Sequence, residues 1–229
     1  MISPPGFDHH PALFVTGTDT EVGKSWVSYG LMHLLAGRGY SVVGMKPVAS
    51  GCSATADGYQ NEDVQLLRQA ATVAVDESLI NPYLFVDPVA PQEAARREGK
   101  TINGQRILSC FGELGGLADR VVVEGVGGWR VPLSDELDIA GLVALLRIPV
   151  VMVVAVRLGS INHALLTAES IRNSGANLIG WVANLVGDDA DSRSNLEGLT
   201  RLLASPRLAV VPRVDSPEEV ASYLGREWR

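Results

Sequence analysis

An α/β fold, a three-layer sandwich with a mostly parallel central sheet flanked by helices, is predicted from two features of the sequence. Short apolar, β-branched runs alternate with longer segments of helical spacing. Several runs are apolar without interruption, Val150-Val-Met-Val-Val154 being the plainest, as strands covered on both faces are. The 229 residues suit one full-sized domain, and no repeat, low-complexity tract or linker divides them.

The first strand is expected at Ala12–Thr16, after residues 1–11, which read as a flexible leader. Directly after it comes Gly17-Thr-Asp-Thr-Glu-Val-Gly23-Lys24-Ser25, followed by helical spacing over Lys24–Ala36. A strand, a glycine-bounded loop ending in Gly-Lys-Ser and a helix form the context of a phosphate-binding P-loop. The glycines let successive backbone N–H groups face an anion, and the helix N-terminus adds a favourable field. Lys24 brings a compact charge for the β- and γ-phosphates, and Ser25 a hydroxyl for Mg2+. The loop holds one more residue between its glycines than the common pattern. Glu21, inside it, has two readings: a carboxylate turned to solvent, or one that helps hold a metal or a substrate ammonium.

The second strand, Ser41–Met45, leads into Lys46-Pro47-Val48-Ala49-Ser50-Gly51. Of the chain's 19 basic residues only three are lysines, and two of these, Lys24 and Lys46, follow predicted strands on one edge of the sheet. Phosphoryl chemistry needs compact charges at such a place. The stretch Val48–Lys100 is irregular apart from helical spacing at Asp63–Ala71. It is either a substrate pocket beyond the strand ends or an ordinary surface excursion. Asp63 is either a metal partner or a helix-dipole partner.

A helix is expected at Ile107–Leu117, then a third strand at Arg120–Val123 that ends in Glu124-Gly-Val-Gly127-Gly128-Trp129. In P-loop enzymes a strand-end carboxylate of this kind holds Mg2+. The alternation continues with a helix at Ile139–Leu146, a strand at Pro149–Val156, a helix at Ile161–Asn173, a strand at Leu178–Ala183, a helix at Ser194–Leu203 and a strand at Leu208–Val211.

A net charge of -7 argues against nucleic acid as the main partner. The longest apolar stretch, Ile148–Val156, is too short to cross a bilayer, so no membrane partner is expected. The N-terminus carries no secretory pattern. Cys52 and Cys110, the only cysteines, make no disulfide framework, and a cytoplasmic location is expected.

Five motifs in register, GTDTEVGKS, KPVASG, VEGVGGW, LGSINH and GWVAN, closely resemble the dethiobiotin synthetases of biotin biosynthesis. The resemblance runs from about Phe14 to Asn184. It implies a homodimer with a seven-stranded sheet and an ATP- and Mg2+-dependent cyclo-ligase that turns 7,8-diaminononanoate and carbon dioxide into dethiobiotin. A carbamate and then a carbamic-phosphoric anhydride are the implied intermediates. Position by position, it places Thr20, Glu21, Val22, Gly23, Lys24, Ser25 and Trp26 at the nucleotide. Ser25, Asp63 and Glu124 become the metal partners. Thr20, Lys24, Lys46 and Ser50 surround the carbamate and the transferred phosphoryl. Gly127 and Gly128 border the diamine through their backbone. Ser160, Ile161 and Asn162, at the start of a predicted helix that suits an anion, take the substrate carboxylate from the neighbouring subunit. Asn184 meets the adenine, with Pro212 beside the base.

Two departures stand out. Val126 is larger than the alanine expected in the glycine turn, and the tail after Val214 matches poorly. One alternative is a regulatory or partitioning P-loop ATPase, which carries an extra lysine early in the loop where this chain has Thr18, Asp19 and Thr20. Another is the synthetase domain of an amidotransferase, for whose glutaminase domain the chain has no room.

Overall fold

The computed structural model describes residues 10–56, 58–187 and 190–227. In chain order its elements begin with β1 (Ala12–Gly17), α1 (Lys24–Ala36), β2 (Val42–Met45), β3 (Val48–Ser50), β4 (Ser53–Thr55), β5 (Gly58–Gln60) and α2 (Glu62–Ala70). Then follow α3 (Glu77–Ile80), β6 (Tyr83–Phe85), α4 (Pro91–Arg97), α5 (Gly104–Leu117), β7 (Arg120–Gly128) and α6 (Ile139–Leu146). The chain continues through β8 (Val150–Val156), α7 (Ser160–Asn173), β9 (Leu178–Leu185), α8 (Ala190–Leu202), β10 (Arg207–Val211) and α9 (Pro217–Glu227).

The central sheet has the order β10-β9-β8-β1-β7-β2, and every pairing in it is parallel. Its strands are the six that the apolar runs mark. It has six strands among the described residues, not the seven that the resemblance implies. After β2 the chain leaves the sheet at Pro47, which has no N–H for a ladder. Val48–Ser50 then pairs with Tyr83–Phe85 in a separate parallel pair, and Ser53–Thr55 folds back on Gly58–Gln60 as a hairpin. Residues 1–9 of the expected leader lie outside the described residues; Pro11 is already tied to the sheet, its carbonyl accepting from Val121 N at 3.0 Å.

Alternation along the strands divides the core in two. Phe14, Val123, Met152, Val154 and Trp181 point to the face covered by α5, α6, α7 and α8. Leu13, Val15, Val122, Val151 and Val153 point to the face covered by α1, α9 and part of α2. All seven residues of β8 are buried, as its unbroken apolar run requires. The outer edge of β2 is covered by the segment after α2: Thr72 N donates to Val42 O at 2.9 Å and Lys46 N to Ile80 O at 2.8 Å. That blocks edge-to-edge pairing.

Helix ends follow their capping residues. Asn61, Asn103 and Asp138 accept from backbone N–H groups in the first turns of α2, α5 and α6. These caps start α2 and α5 slightly before the helical spacing does. The tail after Val214, where the resemblance fades, contains α9, with Pro217 at its start. Because all six strands run in parallel, their carboxyl ends share one edge, and the loops that leave it gather there.

Candidate active site

The phosphate-loop segment crosses this edge between β1 and α1, and its backbone has little room to vary. A Cβ on Gly17 would lie 2.6 Å from Val22 Cγ2 and 3.0 Å from Lys24 Nζ. Gly23 is left-handed at φ 95°, and a Cβ there would lie 2.4 Å from Asn184 Nδ2. Asn184, at the end of β9, donates to Val22 O at 3.0 Å, so it braces the loop from behind. Val22 itself is buried in the core beneath α1, which leaves only its backbone to face a ligand. Glu21 is exposed and holds a positive φ of 57°. Thr20 N donates to Asp19 Oδ1 at 2.8 Å.

Lys24 is buried, and its ammonium donates to Asp19 O at 2.9 Å. Burial, helped by the nearby Lys46 charge, lowers its pKa to about 8. Such an ammonium lacks a full counter-charge, which a phosphate supplies.

Beside it lies a compact polar cluster drawn from four segments. Lys46, just past β2, donates to Asp63 Oδ2 at 2.8 Å, to Glu124 Oε1 at 2.6 Å and to Gly125 O at 3.1 Å. Ser25 Oγ lies 2.6 Å from Asp63 Oδ1 and 2.8 Å from Glu124 Oε1. A hydroxyl has one proton, so it donates to only one of the two at a time. Glu124 is 0% exposed, and its Oε2 has no hydrogen-bond partner among the described residues. Burial pushes the Lys46 pKa down, but Glu124 and Asp63 outweigh it and hold the ammonium charged above the ordinary lysine value. Burial pushes Asp63 up, but Lys46 and Ser25 outweigh it and keep the carboxyl below the usual range.

The cluster fits Mg2+. Its donors are hard oxygens, one of them buried and unpartnered. Adjacent ligand oxygens around Mg2+ lie about 2.9 Å apart, close to the spacings of Ser25 Oγ from the two carboxylates. No group of three or more His, Cys, Asp or Glu side chains that could hold a metal ion gathers among the described residues. A hydroxyl with two carboxylates nevertheless suits an ion that takes its remaining ligands from phosphate and water.

A cleft of about 800 Å3 opens over the loop and the cluster. Thr20, Glu21, Gly23, Lys24, Ser25, Trp26, Lys46, Ser50, Asp63 and Gly127 line it. Gly127 is left-handed at φ 59°, and its Cβ would meet Val131 Cγ2 at 2.9 Å. Gly128 follows it toward the loop carbonyls of Gly17 and Thr18 rather than into the cleft. Val126 lines the same wall, so its extra bulk over alanine faces the cavity.

Some expected residues lie elsewhere. Ser160, Ile161 and Asn162 form the first turn of α7, beyond β8, and do not line this cleft. Ser160 is buried, and its Oγ has no partner among the described residues. Ile161 packs toward Gly198 of α8. Asn184 and Pro212 lie outside the cleft too, but close to each other: Val211, next to Pro212, is in register with Asn184.

The far wall is Pro88 to Pro91, from the stretch Val48–Lys100 with its substrate-pocket reading, together with Val131; none of these, nor Asn61, was expected by residue. Asn61 caps α2 two residues before Asp63 and donates to Gly51 O at 2.8 Å, tying the cluster to the end of β3. An asparagine followed by two acidic residues is the one sequence signal that marks it as a cap.

A family model described as an AAA domain matches residues 11–220. The ATP-dependent dethiobiotin synthetase BioD of Xanthomonas axonopodis pv. citri (strain 306) is 48% identical over 204 residues, 89% of this chain and 91% of that protein. The ATP-dependent dethiobiotin synthetase BioD of Pseudomonas aeruginosa (strain LESB58) is 46% identical over 219 residues, 93% of this chain and 96% of that protein. Among solved structures, the septum site-determining protein MinD of Pyrococcus horikoshii OT3, complexed with Mg-ADP, is similar with a TM-score of 0.56. That likeness covers 94% of this chain and 88% of that one at 14% identity, so it shows the fold alone.

Proposed function

The chain belongs to the ATP-dependent dethiobiotin synthetases, and from that premise we propose that it joins 7,8-diaminononanoate, carbon dioxide and ATP into dethiobiotin, ADP and phosphate. The observation that carries this reading is the gathering of Lys24, Lys46, Ser25 and Asp63 around one cleft that begins at the phosphate loop, with buried Glu124 bonded to Ser25 and Lys46 behind them. An amine of the substrate takes up carbon dioxide and loses a proton to become a carbamate. A carbamate oxygen attacks the γ-phosphorus, and ADP leaves. The second amine then attacks the carbonyl carbon of the mixed anhydride, phosphate leaves, and the cyclic urea closes.

The loop N–H groups and Lys24 hold the β- and γ-phosphates, with Thr20, Glu21 and Trp26 at the same ligand. Ser25, Asp63 and Glu124 hold Mg2+, which when bound offsets charge on the phosphate oxygens. Lys46 and Ser50 hold the carbamate, which is anionic and short-lived unless cations keep it near the γ-phosphate. The Gly127 backbone borders the diamine, while Gly128 turns toward the phosphate loop. Catalysis is positioning and charge stabilisation, with no covalent enzyme intermediate.

The substrate carboxylate needs a partner that this cleft lacks, since Lys24 and Lys46 are the only cations among the described residues lining it. The start of α7 in a second copy supplies it: Ser160, Ile161 and Asn162 stand at a helix N-terminus, beside Leu158, which is 93% exposed. The working unit is therefore a homodimer. Asn184 and Pro212 flank the adenine at the other end of the edge. Free Cys52 and Cys110 agree with a cytoplasmic enzyme.

The test is phosphate release with Mg2+ and ATP, with and without the diamine and bicarbonate, together with product mass spectrometry. Release that needs both additions, with a product of cyclic-urea mass, is expected. Steady ATP hydrolysis indifferent to the diamine would point instead to a partitioning-type ATPase.

A further inference from the structure

Lys46 is assigned above to the carbamate, yet in this structure its ammonium has no donor to offer. All three N–H groups are taken, by Asp63 Oδ2, Glu124 Oε1 and Gly125 O. The side chain is 3% exposed. Its backbone is equally fixed: Asn81 Nδ2 donates to Lys46 O at 2.6 Å and Lys46 N donates to Ile80 O at 2.8 Å. Any reach toward a substrate must come from rotation of the four-carbon stem alone.

Such a rotation would strand two neighbouring carboxylates, one of them wholly buried, and that is strongly unfavourable unless another cation takes them over. The oxygens that bind Lys46 belong to the same two residues that fit Mg2+. Lys46 alone bonds both carboxylates, with a single charge, while Lys24 bonds Asp19 O instead; a divalent cation ligated by both carboxylates would neutralise them directly. We infer that Lys46 and the divalent cation are alternative occupants of the Asp63–Glu124 pair: the ammonium holds the pair in the metal-free chain and swings into the cleft when the metal binds with the nucleotide. The inference rests on the reading of Lys46 as the carbamate-holding group. It adds an order to that reading, because no free ammonium is offered to the carbamate until the metal is in place.

Two measurements on the full chain test it, neither needing diamine. In the first, ADP affinity is titrated in excess Mg2+ and in EDTA for the wild type and for Lys46→Met. Competition predicts that the enhancement by Mg2+ is about tenfold or more larger in the variant, because the metal no longer displaces the lysine. An equal or smaller enhancement would overturn the inference. In the second, a crystal structure of the wild type with Mg2+ and ADP reports where Lys46 Nζ lies, whether or not the variant folds. Separation from Glu124 Oε1 and Asp63 Oδ2 into the cleft is expected. Lys46 retained on Oε1 while the metal sits on Oε2 would sink the idea. Both are equilibrium readouts, so their failure is distinct from failure of synthetase activity, which product mass reports.

Discussion

A methyl group on Gly23 meets two obstacles at once: a left-handed φ of 95° and an Asn184 amide nitrogen 2.4 Å away. Gly23→Ala is therefore expected to destabilise the chain by about 1–3 kcal/mol and to weaken ADP binding, read by thermal melting and calorimetry. Lys24 carries a second consequence. Its pKa is lowered to about 8 in the free chain, mainly by burial, and a bound phosphate favours its charged form. Binding therefore takes up a proton, and affinity falls as pH rises through about 8. Metal-free ADP titrations at pH 8, in buffers of different ionisation enthalpy, should show uptake of roughly half a proton that Lys24→Met abolishes. Lys24 was legible in the sequence from the Gly-Lys-Ser end of its glycine-bounded loop, and Lys46 and Glu124 because each ends an apolar run, where ligands bind. That Lys46 bonds to Asp63 and Glu124 was not legible, since three distant segments must meet before the pairs exist.

At the level of elements, α9 shows what local pattern alone can hide. Its mixed charge reads as a tail, yet Val220 and Leu224, one turn apart, are both buried against α1. The contact is close: a Cβ on Gly30 would lie 2.8 Å from Val220 Cγ1 and 3.1 Å from Ala221 N. Gly30→Ala improves helix propensity by about 1 kcal/mol but overpacks the interface by about 1–3 kcal/mol, so a lower melting temperature is expected. Adding Val220→Ala should recover part of that loss, a coupling of at least about 0.5 kcal/mol in a double-mutant cycle. The six strands of the main sheet and six of the helices follow from unbroken apolar runs and helical spacing. Apart from α2, Val48–Lys100 does not, because its strands are three residues long and its helices α3 and α4 are short. Their register comes from partners across space, as Val48 with Tyr83, rather than from any period in the sequence. The same region supplies one wall of the cleft, in line with its substrate-pocket reading, although no single residue of that wall could be named in advance.

For the whole molecule, a site shared between two chains has an arithmetic signature. Lys24→Met disables a cleft and Asn162→Asp disables the helix start proposed to reach into the partner's cleft. Each variant alone is expected to be inactive in dethiobiotin formation. After mixing and re-equilibration, about half the dimers are mixed, and each of those has one intact site of two, so about a quarter of wild-type activity should return. No recovery after verified subunit exchange would refute the shared site. The sheet order has a consequence in time as well. β1, which carries the phosphate loop, lies in the interior of the sheet, with Ala12 in register with Val121 and Phe14 with Val150. The loop is made well before either neighbour of its strand: Ala12 pairs with Val121, 109 residues later, and Phe14 with Val150, 136 residues later. A nascent chain stalled before Val121 carries every residue of the phosphate loop and no sheet to hold it, so nucleotide cannot act as an early folding template. The phosphate loop is made before the strands that turn it into a binding site.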